Sequence, residues 1–103
     1  MMAQRTGRFI ANDTKETVHL NADVFLETFA DNMWDVLGQQ IRVPLSGYEE
    51  DLIPWSQLDE VVGFLRKAID NNQFTPPTAA VLTSGIDLME RARKRSADVW
   101  IVL

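Results

Sequence analysis

The stretch TPPTAAVLTSGIDLMERARKRSADVWIVL, residues 75–103, decides the class of fold. Thr75 followed by Pro76 and Pro77 reads as a helix start. Proline suits the first turn, where its missing N–H would have had no partner. The helix is expected to run to about Arg95. Gly85 lowers its stability by about 1 kcal/mol relative to alanine, which makes Ser84-Gly85 the place for a break. Beyond it, nothing polar interrupts Val99 to Leu103. An apolar run this short, without helical periodicity, reads as a buried strand. A long helix feeding a buried strand points to a layered sheet-and-helix domain.

Working back from there, Ser56 reads as the cap of another helix, with Asp59 three residues on in capping-box position. Leu58, Val61, Val62, Leu65, Ala68 and Ile69 form its apolar face, and Asn71-Asn72 end it. Gly47 to Trp55 reads as a loop in which Trp55 staples the helix that follows. Ile41 to Leu45 is a short strand, with Pro44 confining it to an edge. Asn21 caps a helix expected to reach about Leu37 and to stop at Gly38. Leu26, Phe29, Ala30, Met33 and Leu37 make its buried stripe. Arg8–Ala11 and Thr17–Leu20 are two strands of a hairpin turning at Asn12-Asp13. The order is β-β-α-β-α-α-β, an α+β or α/β domain over residues 1–103 with a three- to four-stranded sheet covered by three helices.

Composition sets the outer bounds. A chain of 103 residues is most simply one domain, and 46% hydrophobic with 24% charged residues fits a folded one. It contains no cysteine, which excludes disulfides, thiolate metal sites and thiol catalysis. The N-terminal MMAQRTGRFI has no apolar stretch of signal-peptide length. The longest apolar run, Val99–Leu103, falls far short of the roughly 20 residues that span a bilayer. The expectation is a soluble, cytoplasmic protein without membrane association.

Charge is strongly segregated. Glu16 to Leu65 holds ten acids and a single base, Arg42, for a net −9. The segments on either side each sum to +2, giving the total of −5. Asp23, Glu27, Asp31 and Asp35 stand four residues apart. On one helix each such step turns the side chain by about 40°, so the ladder winds from the apolar stripe to the wet side. Trp34 projects beside Glu27 on that flank. Three like-charge i,i+4 pairs cost on the order of 1 kcal/mol. No base within the helix relieves them, which hints at a positive partner elsewhere. Glu49, Glu50 and Asp51 continue the theme, flanked by Tyr48 and Trp55, residue types enriched in binding hot spots.

Within the chain, Arg91 and Lys94 have i,i+4 acids at Asp87 and Glu90. That leaves Arg93 and Arg95 to meet the ladder. Two carboxylates such as Asp31 and Asp35, with no histidine close in sequence, are a thin metal signal. His19 alternates with Val18 and Leu20 and reads as a surface or edge residue. No nucleophile elbow, phosphate loop or dinucleotide fingerprint occurs. The expectation is a non-enzyme without metal or cofactor, and an acidic chain is a poor nucleic-acid binder.

Three places resemble the barstar family, acidic intracellular inhibitors of a bacterial ribonuclease. Ala97-Asp98-Val99-Trp100-Ile101-Val102-Leu103 is similar to that family's closing strand, with Ala92 matching in the basic helix before it. Asn32-Met33-Trp34-Asp35-Val36-Leu37 resembles the opening of its inhibitory helix, with one residue extra. Phe9-Ile10-Ala11-Asn12 resembles its first strand running into a turn. Ala30 and Asp31 stand where the family has a glycine, and Gly38-Gln39 where it continues with Trp-Asp. The resemblance implies a small parallel sheet with helices, and Asp35 as the residue that enters a basic active site.

Together these readings lead to an acidic protein-binding module, an immunity or inhibitor protein acting on a basic, nuclease-like partner. Its candidate contact residues are Glu27, Asp31, Trp34, Asp35, Tyr48, Glu49, Glu50 and Asp51. The alternative is a self-associating structural or regulatory domain, a homodimer joined through Arg93 and Arg95 or through exposed Val99–Leu103. A third reading is a small carboxylate-dependent enzyme.

Overall fold

The computed structural model describes residues 6–29, 33–43, 45 and 50–103. Strands β1 (Gly7–Ala11) and β2 (Thr17–Leu20) come first, then helices α1 (Ala22–Thr28) and α2 (Met33–Ile41). Strand β3 (Glu50–Ile53) leads through a 3-10 turn at Trp55–Gln57 into α3 (Leu58–Asp70). Helix α4 (Pro76–Lys94) and strand β4 (Val99–Val102) complete the chain. The domain is α+β. Its sheet has the order β2-β1-β4-β3, and every neighbouring pair is antiparallel. The parallel sheet implied by the barstar resemblance is therefore not the one that forms.

The hairpin and the last two elements form where the sequence places them. Lys15 closes the β1–β2 turn in the left-handed region, φ 65°, with the Ala11 amide donating to the Glu16 carbonyl. β4 lies between β1 and β3, so its backbone groups are paired on both sides. Helix α4 passes through Ser84-Gly85 without a break. Gly85 is there for packing: a Cβ on it would stand 2.5 Å from the Phe9 ring.

The single helix expected from Asn21 is instead two. Asn21 does cap α1, accepting from the Val24 amide at 3.0 Å. α1 ends at Thr28, and α2 begins at Met33. The expected stripe is not continuous: Met33 and Leu37 are buried, but Leu26 is 64% exposed. Gly38 is not a stop, because α2 continues through it to Ile41. The chain folds back over it, and a Cβ there would lie 2.9 Å from the Val43 carbonyl oxygen. The stop is Arg42, in left-handed geometry at φ 60°. Ile41 thus belongs to a helix, not to the strand expected over Ile41–Leu45. The third strand forms later, within the segment read as a loop.

Helices α2, α3 and α4 all end on a left-handed residue that is not glycine: Arg42, Asn72 and Ser96. After each, the next amide reaches back to a carbonyl in the last turn: Val43 to Gly38, Gln73 to Ala68, and Ala97 to Ala92. These bonds satisfy carbonyls that would otherwise be orphaned at the helix end.

One core joins the helices to one face of the sheet. Phe9, Ala11, Leu20, Ile53, Val99 and Ile101 point into it from the strands. Trp34 is 1% exposed and meets Phe9 edge-on, ring centroids 6.1 Å apart. Its indole N–H donates to the Thr28 hydroxyl at 3.0 Å, which satisfies the one polar group of the buried ring.

Candidate functional site

The structure takes the acidic ladder apart. Glu27 is not a free surface acid. Its carboxylate accepts from the Thr75 amide, from the Thr75 hydroxyl at 2.9 Å and from the Thr78 hydroxyl at 2.7 Å. Thr75 makes no side-chain cap within its own helix, which opens with Pro76 and Pro77. Its hydroxyl donates across to α1 instead. A carboxylate at the positive end of a 19-residue helix is also favoured by the helix dipole. The Thr78 hydroxyl, followed by the Thr75 amide, holds the Glu27 carboxyl below its ordinary range.

Trp34, read as a contact residue, is core and unavailable to a partner. Asp35 is exposed in the first turn of α2. Glu50 is exposed at the start of β3, whereas Asp51 lies opposite Ile101, on the helix-facing side of that strand. Asp31, Tyr48 and Glu49 lie outside the described residues. Trp55 does not staple α3 into the core: its side chain is 46% exposed, and its backbone amide donates to Asp98 at 2.8 Å.

The three arginines at the end of α4 are engaged within the fold. Arg95 pairs with Asp13 at 2.8 Å and Arg91 pairs with Glu16, tying α4 to the β1–β2 hairpin. Arg93 pairs with Asp59 at 2.9 Å, and Glu90 takes Arg66 at 3.0 Å, tying α4 to α3. The i,i+4 pairs expected within α4 are replaced by these longer-range ones. The hydrogen-bonded guanidinium of Arg95 holds the Asp13 carboxyl down to about 2. Arg93 and Arg95 are thus engaged within the fold, and β4, as an interior strand, offers no edge for pairing.

What the fold builds is a cleft between α2 and α3, about 570 Å³ in volume. Gln57 ties the two helices, its amide donating to the Ile41 carbonyl at 2.8 Å. Met33 and Val36 line the cleft from α2, and Gly63 and Phe64 line it from α3. Val36 is 50% exposed although apolar. Gly63 sits in the middle of a 13-residue helix with nothing within 4 Å of where a Cβ would be. It weakens α3 by about 1 kcal/mol relative to alanine, and no contact inside the chain requires it. Glu60 and Lys67 stand on the rim, one turn to either side of Gly63, and neither makes an ion pair with the described residues.

A further open surface among the described residues is the outer face of the sheet, where Arg8, Glu50 and Leu52 are exposed. Among the described residues, no three His, Asp or Glu side chains gather to hold a metal ion. None of the described helices is long and apolar enough to cross a membrane.

Neither protein-family models, nor curated proteins, nor solved structures give a match to this chain. Sequence reading missed the cleft because its parts are unremarkable one by one. The available signal was Gly63, a glycine inside an otherwise regular helical pattern.

Proposed function

We propose that this chain is a non-enzymatic protein-binding module whose α2–α3 cleft receives an apolar anchor from a basic partner. The observation that carries the reading is that exposed Val36 and bare Gly63 line one cleft. An exposed apolar side chain shares it with a strip of helix backbone that is open to close approach. A partner side chain resting there buries apolar surface worth about 25 cal/mol per Å². Met33 adapts its shape to whatever enters. The partner is basic because the acidic segment supplies the surroundings. Asp35 precedes Val36, Glu60 stands on the rim, and the negative end of α3 closes the cleft near Lys67. Such a field accelerates association by up to about 100-fold and makes it salt-dependent.

The cleft chemistry supports binding over catalysis. Its titratable groups, Glu60 and Lys67, are seven residues apart on one helix, about 10 Å along the axis. Neither has a histidine, serine or further carboxylate beside it among the described lining residues. The finer reading is an inhibitor or immunity protein that occludes a nuclease-like partner, with exposed Asp35 as the residue offered to its basic site. The barstar-like Asn32–Leu37 motif supports this.

The test is affinity capture from the source cell at low salt, eluted along a salt gradient. Wild type is compared with Val36→Glu/Gly63→Gln, which fills the cleft, and with Asp35→Asn/Glu60→Gln. One basic protein held by wild type, lost with the filled cleft and released at lower salt by the neutralised pair, is the expected result. Retention indifferent to both variants sinks the reading.

A further inference from the structure

We propose that the outer face of the sheet is a self-complementary surface that pairs with a second copy of this chain, independently of the α2–α3 cleft. Antiparallel register places Arg8, Val102 and Glu50 in one row across β1, β4 and β3, and Ile10, Trp100 and Leu52 in the next. These side chains point away from the core. Phe9 and Ile101, which alternate with them, are fully buried, while Arg8, Glu50 and Leu52 are exposed. Ile10, Trp100 and Val102 are half-buried and are not among the residues that pack on the core. Helix α4 lies on the opposite face, where Gly85 meets Phe9. The Trp100 indole is tied down by its N–H, which donates to Asn12 at 3.0 Å.

The occupant follows from the charge pattern. Arg8 and Glu50 flank β4 at two strand spacings, about 9.6 Å apart, and make no ion pair with each other. A two-fold axis running along β4, between facing sheets, exchanges β1 of one copy with β3 of the other. Arg8 then meets Glu50 of the second copy, Ile10 meets Leu52, and Trp100 meets Trp100. Each unlike pair occurs twice, as an isologous interface requires. Charged flanks around an apolar centre match the usual anatomy of an interface. The aligned packing of two sheets tolerates the small rotation that strand twist imposes.

The face is small. Three strands of four or five residues cover roughly 250 Å² in outline. The dimer therefore belongs to the weak class, with a dissociation constant on the order of 10–100 µM.

Sedimentation equilibrium at constant ionic strength tests this on wild type, Arg8→Glu, Glu50→Arg and the double exchange Arg8→Glu/Glu50→Arg. Either single reversal sets two like-charge contacts into the interface and is expected to weaken dimerisation by about tenfold or more. The double exchange is expected to return it to within about threefold of wild type. Leu52→Lys, at an exposed strand position, gives an independent disruption should a charge reversal disturb folding. A monomer at every concentration up to about 1 mM overturns the proposal and assigns the face to another protein or to solvent. A dimer indifferent to the single reversals overturns it equally.

Discussion

Replacing Glu27 with alanine removes a staple between α1 and the start of α4. Three donors converge on this carboxylate, one amide and two hydroxyls. A hydrogen bond to a charged group contributes about 1.5–3 kcal/mol, but three that share one acceptor do not add. Thr75 is exposed, so water replaces Glu27 there at little cost. Thr78 is 2% exposed, and its hydroxyl would lose its best acceptor in a place water reaches poorly. That loss costs about 1–3 kcal/mol, and the helix-dipole contribution adds about 0.3–1 kcal/mol. The expected destabilisation is about 2–3 kcal/mol, which in a domain of this size lowers the melting temperature by roughly 10–15 °C. Urea unfolding at neutral pH reads it as a lower midpoint at unchanged slope. Glu27→Gln keeps an acceptor oxygen and loses the charge, so about half the effect is expected. The pH dependence has a definite sign. The folded state holds the Glu27 carboxyl below its ordinary value of 4.5. Its contribution is therefore fully present above 4.5 and disappears as pH falls through the lower folded value. The stability gap between wild type and Glu27→Gln should close over that window. A loss below about 0.5 kcal/mol for Glu27→Ala, the usual scale of an inconsequential surface change, would refute the reasoning.

Two helical glycines should respond with opposite sign to alanine. Gly63→Ala meets nothing within 4 Å and is expected to stabilise by about 0.5–1 kcal/mol. Gly85→Ala drives a methyl into the Phe9 ring and is expected to destabilise by about 1–3 kcal/mol, outweighing its helix propensity; both are read by chemical denaturation. NMR titration should place the Asp13 carboxyl near 2, and Arg95→Ala should return it toward 3.8. Because the folded value is the lower one, the Asp13–Arg95 tie contributes fully above 3.8 and is lost as pH falls through about 2. An Asp13 midpoint unmoved by Arg95→Ala would remove that pair from the account.

Periodicity made α3, α4 and the hairpin legible because each carries its own local signals. Thr75-Pro76-Pro77 and the Asn71-Asn72 end are such signals, and the apolar face of α3 is buried as its spacing indicates. The region from Asn21 to Ile53 was harder. Its apolar spacing fits one helix, but α1 and α2 are separate helices, so residues of α2 do not keep the faces that one continuous helix would give them. Trp34 thereby turned from the flank of Glu27 into the core, where its indole bonds Thr28. Gly38 carries the mark of a helix stop, yet its role is to let Val43 pass close by. Of the contact residues read from the sequence that the structure describes, Asp35 and Glu50 stand exposed, on different elements.

Sequence alone determined the mixed class, the order of most elements and the segregation of charge, since these depend on local propensity and on counting. Only the tertiary structure decided what each charge does. A carboxylate four residues from another repels it on paper, but its energy is set by whichever donors lie within about 3 Å. For Glu27 those donors come from Thr75 and Thr78, far along the chain. For Asp13 the neighbouring Thr14 amide is joined by Arg95, 82 residues away. The run Val99–Leu103 likewise announced a strand, but the pairing of β4 with β1 and β3 decided which of its residues face the core and which face outward. No local signal carries that pairing, because it is made by backbone groups common to every residue.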